Sequence, residues 1–581
     1  MRKICLGIRT GSLLYKKRFL ILGLLFLLIG ALGFLWYRFF IQNSKFVPAE
    51  GGIFTEFTIG TTRNISPLAT NSTPFDRDLQ KLIFAGLLRY DPTIGQIVDD
   101  LASLQISEDA KTFSLTLKSS ASFSNGKRVE IEDVLFTFET IIQNPNFPNK
   151  VLRDAFEYVT IDVLDERTLE FHLPERNVFF SQFLTTPILA KKYFKNALIE
   201  EINDPDFAPN KNPVGAGPFV FENIVPNDDG SFRVFLKKNK YFYGGEPKID
   251  QIVFYVFPDF ETIELSQIWP TMFSQIPAVR VDKFEETLFG EYRRREYLLP
   301  RWTGVFFNLD KPIVENMNFR RALLYAVNKP NLLEKEKGWT RVDSPFFFEN
   351  VENWQQEDFI EARKTLRDSG FPFDSALEVR KNGKDGDQIS IKMITSTSPP
   401  AYSRIAQNIA KVWKDELSID VSVEILDNGE FQTALKNGEY DCAFFGQNFS
   451  QNLDNMSMWH SSEVGKFNLS HLTNEDIDFL IDEIRFSGAQ SDLFTLEAKL
   501  DTLIPAIPIL TPEYELFISK KLFGFSETFG TVREHSDRFA GVQDWFFEKK
   551  RAFDFREDQS KIWEFIKFIF GAGERTINNK Q

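Results

Sequence analysis

Cysteine is almost absent from this chain of 581 residues: there are two, Cys5 and Cys442, far apart and in unrelated contexts. That excludes a disulfide framework and leaves core packing to stabilise the fold. Histidine is nearly as scarce. His172, His460, His471 and His535 are scattered without ligand spacing and no cysteine cluster accompanies them, so no metal site is expected. Basic residues are in deficit, 68 against 82 acidic ones, and the net charge of -14 argues against nucleic acid, whose binding needs clustered Lys and Arg. The chain also lacks a nucleophile elbow, a Walker A loop and a dinucleotide fingerprint. Paired acids such as Asp99-Asp100 and Asp228-Asp229 are of a kind common in surface loops. No enzymatic activity and no cofactor are expected.

Acidic residues are missing altogether before Glu50, while Arg2, Lys3, Arg9, Lys16, Lys17 and Arg18 precede an uncharged run from Phe19 to Tyr37. Such a run nearly crosses a ~30 Å hydrocarbon core at 1.5 Å per residue, which predicts a spanning helix. The basic flank keeps to the cytoplasm and places everything after about residue 42 outside. The rival is a cleaved signal peptide with Ala31-Leu32-Gly33 as its site, but the apolar run continues through Phe34-Leu35-Trp36-Tyr37.

What is present is a long, Phe-rich globular chain. Its 62 phenylalanines are read first as core packing and second as an aromatic ligand cage. Its length asks for two to four domains or a large two-lobed body. DRDLQKLIFAGLLRYDP predicts a helix stopped by Asp91-Pro92, and Ile131 to Ile142 a second with Val134, Phe138, Ile141 and Ile142 on one face. Residues 158–173 supply two strands, and residues 260–296 read as irregular with a solvated basic run, Arg293-Arg294-Arg295. A βαβ unit follows: Ile389 to Thr395, the helix Tyr402 to Leu417, then Ile419, Val421, Val423 and Ile425 in alternation. A further helix stops at Asn437-Gly438 and a buried strand runs to Gly446. Ligands in open α/β sheets lie outside the carboxyl ends of strands, which points to residues 447–454. Near the end, Ile562, Trp563, Phe565, Ile566, Ile569 and Phe570 make a wide apolar face, suited to packing on the body or lying at a lipid interface.

The order of the motifs carries a resemblance. NPVGAGPF, a polar strand and NKYFYGGEPKID between Lys211 and Asp250 resemble a signature of the extracellular solute-binding proteins of the peptide/nickel group, which deliver ligands to ATP-driven importers. LIFAGLL followed by RYDP, the segment from Asn308 through Pro312 and Arg320 to Val327, MWHSSEVGKFNLSHLTNEDIDFLIDEI, and the closing RFAGVQDWFF are similar to the same group over residues 51–550. The resemblance implies an α/β, two-lobed periplasmic-binding-protein-like fold of type II with an extra inserted subdomain, after an N-terminal transmembrane helix. The implied divisions are a cytoplasmic flank and anchor over 1–45, a discontinuous first lobe over 46–75, 190–298 and 511–552, a subdomain inserted at 76–189, a second lobe over 299–510, and an amphipathic tail over 553–581. Many relatives are lipid-anchored through a cysteine just after the signal segment; none lies there in this chain.

The implied partners are a peptide or other small ligand and the transmembrane subunits of an ABC importer, with the protein monomeric. Oligopeptide comes first; a nickel chelate, a glycan, or a non-transporting membrane-anchored sensor or scaffold are alternatives. Candidate ligand residues are Asn64, in a Pro-containing turn at the cleft edge, Trp302 on the opposite or hinge side, and Gln447, Asn448, Phe449 and Asp454 after the buried strand. In amine-binding members an aspartate a few residues after the matching glycine pairs with the peptide ammonium. Counted from Gly446 that position is Ser450, and the nearest acid is Asp454.

Overall fold

Hydrophobic alternation and a few long-range strand pairings explain most of the architecture. The computed structural model describes residues 4–62, 64–70, 72–264, 269–277, 280–282, 290–336, 338–346, 357–383, 386–448, 456–526, 532–552, 561–563 and 565–566. It divides into two compact units, Met1–Gly52 with Phe546–Gln581, and Ile53–Trp545, each described by itself. The first unit contains the helix Ile4–Asn43, whose stretch Lys17–Asn43 is long and apolar enough to cross a membrane by length and composition. Just beyond it, Lys45–Pro48 pairs antiparallel with Lys549–Ala552.

The second unit is organised by the strand Ala506–Ser519. Its first half pairs with Arg301–Phe307 and Trp339–Arg341, its second half with Met272–Pro277 and Tyr292–Leu298. One sheet therefore runs through two bodies. On the first-half side, Arg301–Phe307 continues to Cys442–Asn448, Ser390–Ser396 and Asp420–Leu426, the last two parallel as a right-handed βαβ unit around the helix Pro400–Leu417 requires. On the other side, Met272–Pro277 continues to Ile53–Ile59, Gln251–Phe257, Phe232–Lys238 and Phe219–Pro226. The chain passes between the bodies at Leu299-Pro300 and again near Thr511-Pro512.

A separate four-stranded antiparallel sheet, ordered Ala102–Ile106, Thr112–Leu117, Thr168–His172 and Thr160–Val163, lies within the segment expected as an insertion. Its core is a ring cluster: Phe138 and Phe156 at 4.9 Å, Phe138 and Phe171 at 5.2 Å, Phe113 and Phe180 at 5.0 Å. Here the abundant phenylalanine serves packing. The turn of NPVGAGPF sits directly on the end of the helix Pro74–Ile83: a Cβ on Gly215 would lie 2.0 Å from the Ile83 carbonyl oxygen, and one on Gly217 2.4 Å from that of Leu82. Only glycine permits that approach, and the Gly217 N–H uses it to donate to Ile83 O at 2.8 Å.

Three elements depart from the sequence expectation. The helix expected to run to Asp91-Pro92 ends at Ile83, and Leu88–Asp91 is instead a strand paired antiparallel with Gln96–Asp99, a pairing that overrides helical periodicity. Residues 260–296 are not irregular throughout: Tyr292–Leu298 is a strand, and its arginines are engaged, Arg294 with the buried Glu515 and Arg293 with Leu522 O at 2.8 Å. Antiparallel pairing to Ala506–Ser519 overrides a charged pattern that reads as loop. The second predicted helix begins as an α-helix, Ile131–Leu135, but continues as a π-helix, Phe136–Ile142. The buried Thr137 hydroxyl donates to Asp133 O at 2.7 Å and accepts from Leu189 N at 3.0 Å, so a side chain intrudes on the backbone ladder where it loosens.

Candidate functional site

Parallel strands Ser390–Ser396 and Cys442–Asn448 bring their carboxyl ends to the junction of the two bodies. There the last residues of Cys442–Asn448 face the first residues of Arg301–Phe307, with Asn448 opposite Arg301, Gln447 opposite Trp302 and Gly446 opposite Thr303. Side chains alternate, so Arg301 and Thr303 share one face and Trp302 takes the other.

On the first face a polar cluster forms. The Arg301 guanidinium donates to Tyr402 Oη at 3.1 Å and also bonds the Tyr514 phenol, and Thr303 Oγ1 lies 3.1 Å from the same Tyr402 oxygen. A Cβ at residue 446 would stand 2.2 Å from that oxygen and 3.0 Å from an Arg301 nitrogen, so Gly446 is what lets Tyr402 seat its hydroxyl against the strand. Arg301 Nε is buried without a hydrogen-bond partner, and among the described residues no carboxylate pairs with this guanidinium. A cation whose partners among the described residues are phenols is set up to receive an anionic oxygen.

Behind Arg301 the network continues into the first body. Tyr514 stacks on Tyr297 at 5.8 Å and meets the edge of His535 at 4.6 Å, and Tyr297 Oη lies 2.6 Å from His535 Nδ1. Burial, with Arg538, Arg77 and Arg301 nearby, pushes His535 well below the usual imidazole range, so the ring is neutral at pH 7. Burial also raises the Tyr297 and Tyr514 phenols. Next to them Arg538 grips Asp78 with two nitrogens, at 2.7 and 2.6 Å, and Glu56 Oε1 at 3.0 Å through Nε. Both acids are fully buried. Desolvation lifts the Glu56 carboxyl to about 7 against the pull of Arg538, with the Asp78 charge adding to the rise.

The sequence-derived candidates fall in several places. Asn64 is buried in its turn with both amide ends engaged, Nδ2 donating to Asn203 O at 2.7 Å and Oδ1 accepting from Ser66 N at 2.9 Å. Trp302 has no exposed surface; it stacks on Phe306 at 4.7 Å in a core with Phe431, Met458 and Trp459. Gln447 donates to Phe467 O at 2.9 Å, while its Oε1 is buried without a hydrogen-bond partner. Asn448 is exposed at the strand end. Phe449 and Asp454 lie outside the described residues. Arg301, Tyr402 and Tyr514 were not singled out as site residues. The one sequence signal for them is an arginine at the start of an apolar strand.

A cavity of about 870 Å³ lies elsewhere, between the inserted segment and the first body, lined among others by Arg89, Asp100, Lys118, Tyr243 and Arg533. Several of these are already paired: Tyr243 donates to Asp100, and Arg533 lies 3.3 Å over the Tyr90 ring. Among the described residues no group of three or more His, Cys, Asp or Glu side chains is arranged to hold a metal ion.

Residues 96–467 match the profile of the bacterial extracellular solute-binding proteins, family 5 Middle. The nickel-binding periplasmic protein of Escherichia coli K12 is 24% identical over 410 residues, which cover 67% of this chain and 74% of that protein. Di/tripeptide-binding protein 1 of Pseudomonas aeruginosa is 23% identical over 411 residues, covering 65% of this chain and 72% of the relative. Among solved structures, the ABC transporter substrate-binding protein CtaP of Listeria monocytogenes superposes with a TM-score of 0.71 at 21% identity, over 86% of this chain and 99% of that one.

Proposed function

Because the chain belongs to the family 5 bacterial extracellular solute-binding proteins, a family of non-catalytic binders, we propose that it captures a small ligand, in the first place an oligopeptide, between its two lobes and presents it to an ABC importer. The first lobe comprises residues 46–75, 190–298 and 511–552, the inserted subdomain 76–189, and the second lobe 299–510. The helix Lys17–Asn43 is retained as a single-pass anchor with the main body on the extracytoplasmic side. The observation that carries the ligand reading is Arg301. Among the described residues its guanidinium has phenol partners and no carboxylate, and it stands where the strands end and the lobes meet. A peptide carboxylate or backbone carbonyl supplies the acceptor it lacks. On sequence grounds Phe449 and Asp454 remain candidates for ligand contact, Asp454 for the ligand's ammonium. The di/tripeptide-binding relative supports a peptide ligand, and the nickel-binding relative keeps a nickel chelate as the alternative.

Native mass spectrometry of the full chain, released from detergent, tests the reading together with thermal shifts against peptide pools. Co-purifying peptides, or a peptide-dependent rise in melting temperature, are the expected results. A nickel chelate or glycan in the released ligand would replace the peptide. No ligand and no shift with any pool would favour the membrane-anchored sensor.

A further inference from the structure

The unit made by the two chain ends carries an inference about what its surface touches. The helix Ile4–Asn43 ends in an aromatic cluster. Trp36 and Phe39 lie 5.7 Å apart, and Phe565 from the far end of the chain joins them, stacked on Phe39 at 4.4 Å and 5.5 Å from Trp36. The two ends are held together again one step further on. Lys45–Pro48 pairs with Lys549–Ala552, Phe46 opposite Arg551. The Arg551 side chain donates to Ile41 O at 3.0 Å, one of the carbonyls a helix leaves open at its C-terminus, and lies 4.4 Å over the Phe46 ring.

Depth follows from the helix itself. The uncharged run Phe19 to Tyr37 uses up about 30 Å of hydrocarbon, which brings Trp36, Tyr37 and Phe39 to the outer boundary. Phe565 is in ring contact at that level, so its neighbours Trp563 and Ile566 are held there too. Both remain exposed, Trp563 at 64%, as do Tyr37 and Phe46. Interleaved with these rings are the exposed basic side chains of Arg38, Lys45, Lys549, Lys550 and Lys561. Large rings beside lysines at one level of a spanning helix match an interface whose inner side is acyl chain and whose outer side is phosphate. A second protein surface would match the rings but would have to desolvate these basic side chains as well.

We infer that the paired chain ends form a collar seated on the anionic phospholipid headgroups of the outer leaflet, with Trp563 in the acyl–headgroup boundary and the five basic residues among the phosphates. This rests on the membrane-anchor reading. The chain would thus hold the bilayer at both ends, by a span at one and an interfacial segment at the other.

The test uses the full chain with Cys5→Ser and one fluorophore, attached through Trp563→Cys or, as reference, Tyr37→Cys. Cys442 is buried and stays in place. Each protein is put into bilayers of phosphatidylcholine, with or without phosphatidylglycerol, and quenched by lipid brominated near the headgroup end of the acyl chain. The label at 563 is expected to be quenched as strongly as the one at 37, within about twofold. Lys549→Glu with Lys550→Glu should cut quenching at 563 severalfold in the phosphatidylglycerol bilayer and leave quenching at 37 unchanged. A label at 563 that brominated lipid does not reach, while the label at 37 is quenched, overturns the collar and leaves the span standing. Absence of quenching at both positions overturns the anchor reading itself. Equal quenching at 563 with and without phosphatidylglycerol, insensitive to the charge reversals, overturns the headgroup part of the inference.

Discussion

The inserted subdomain and the network around Arg538 are both buried, and they are held by opposite chemistry. In the first, Phe113, Phe138, Phe156, Phe171 and Phe180 contact one another edge to face, and nothing that ionises takes part. In the second, one guanidinium neutralises two carboxylates, with two phenols and an imidazole completing the path to Arg301 at the junction. An apolar core stabilises by area removed from water and is indifferent to pH. A buried ion cluster gains little net stability over a hydrophobic replacement but fails badly when one member is removed. The protein keeps the pH-indifferent kind away from the junction and the ionisable kind next to it.

Removing Arg538 is the most disruptive way to break the second region. Arg538→Met leaves Glu56 and Asp78 together in the core, and a loss toward the upper end of ~3–5 kcal/mol is expected in urea unfolding at pH 7.5. A loss below ~1 kcal/mol would mean the triad does not hold the lobe. Phe171→Ala is the counterpart in the first region. It leaves a cavity among rings, with an expected cost of ~3–4 kcal/mol that stays constant from about pH 5 to pH 8.

The pH dependence sharpens the contrast. Glu56 has a folded pKa of about 7 against an ordinary 4.5. The unfolded chain therefore releases its proton first. Stability from this group is full below about pH 4.5 and is lost as pH rises through about 7. The raised pKa corresponds to ~3 kcal/mol across that window. Glu56→Gln should flatten the urea midpoint against pH over this range, and an unchanged slope would assign the dependence to other groups. The smallest effect is expected at the junction. Arg301→Met loses a charged hydrogen bond to the ligand, ~1.5–3 kcal/mol or roughly 10- to 150-fold in Kd by calorimetry, with little change in melting temperature. A lower melting temperature at unchanged affinity would make Arg301 a structural residue.

What was legible in the sequence was local. The βαβ unit of Ser390–Ser396, Pro400–Leu417 and Asp420–Leu426 and the helix stop at Gly438 appear as read. What was not legible depends on partners far along the chain. Glu56 sits at a polar position of an alternating strand and Asp78 at the acidic start of a helix, both ordinary surface signals. Their common partner Arg538 is 482 and 460 residues away. The strand Tyr292–Leu298 was hidden for the same reason, since the burial of its partner Glu515 appears only after pairing. The candidate ligand residues were placed by strand ends, a rule that locates a region but does not say which side chains point outward. Thus Trp302 is fully buried, while Arg301, one position earlier on the opposite face, is half-buried.

The strand Ala506–Ser519 also sets a clock. Met272–Pro277, Tyr292–Leu298 and Arg301–Phe307 each hold an edge that only this late segment fills. At typical synthesis rates of ~5–20 residues per second, those edges stay open for roughly 10–40 s after residue 307 is made. Open strands as apolar as Arg301–Phe307 recruit one another. The nascent chain must therefore be held apart from its copies until about its last eighth emerges. Truncation before residue 506 should yield aggregate in place of a smaller folded lobe, which expression of the shortened chain with solubility measured by sedimentation would show.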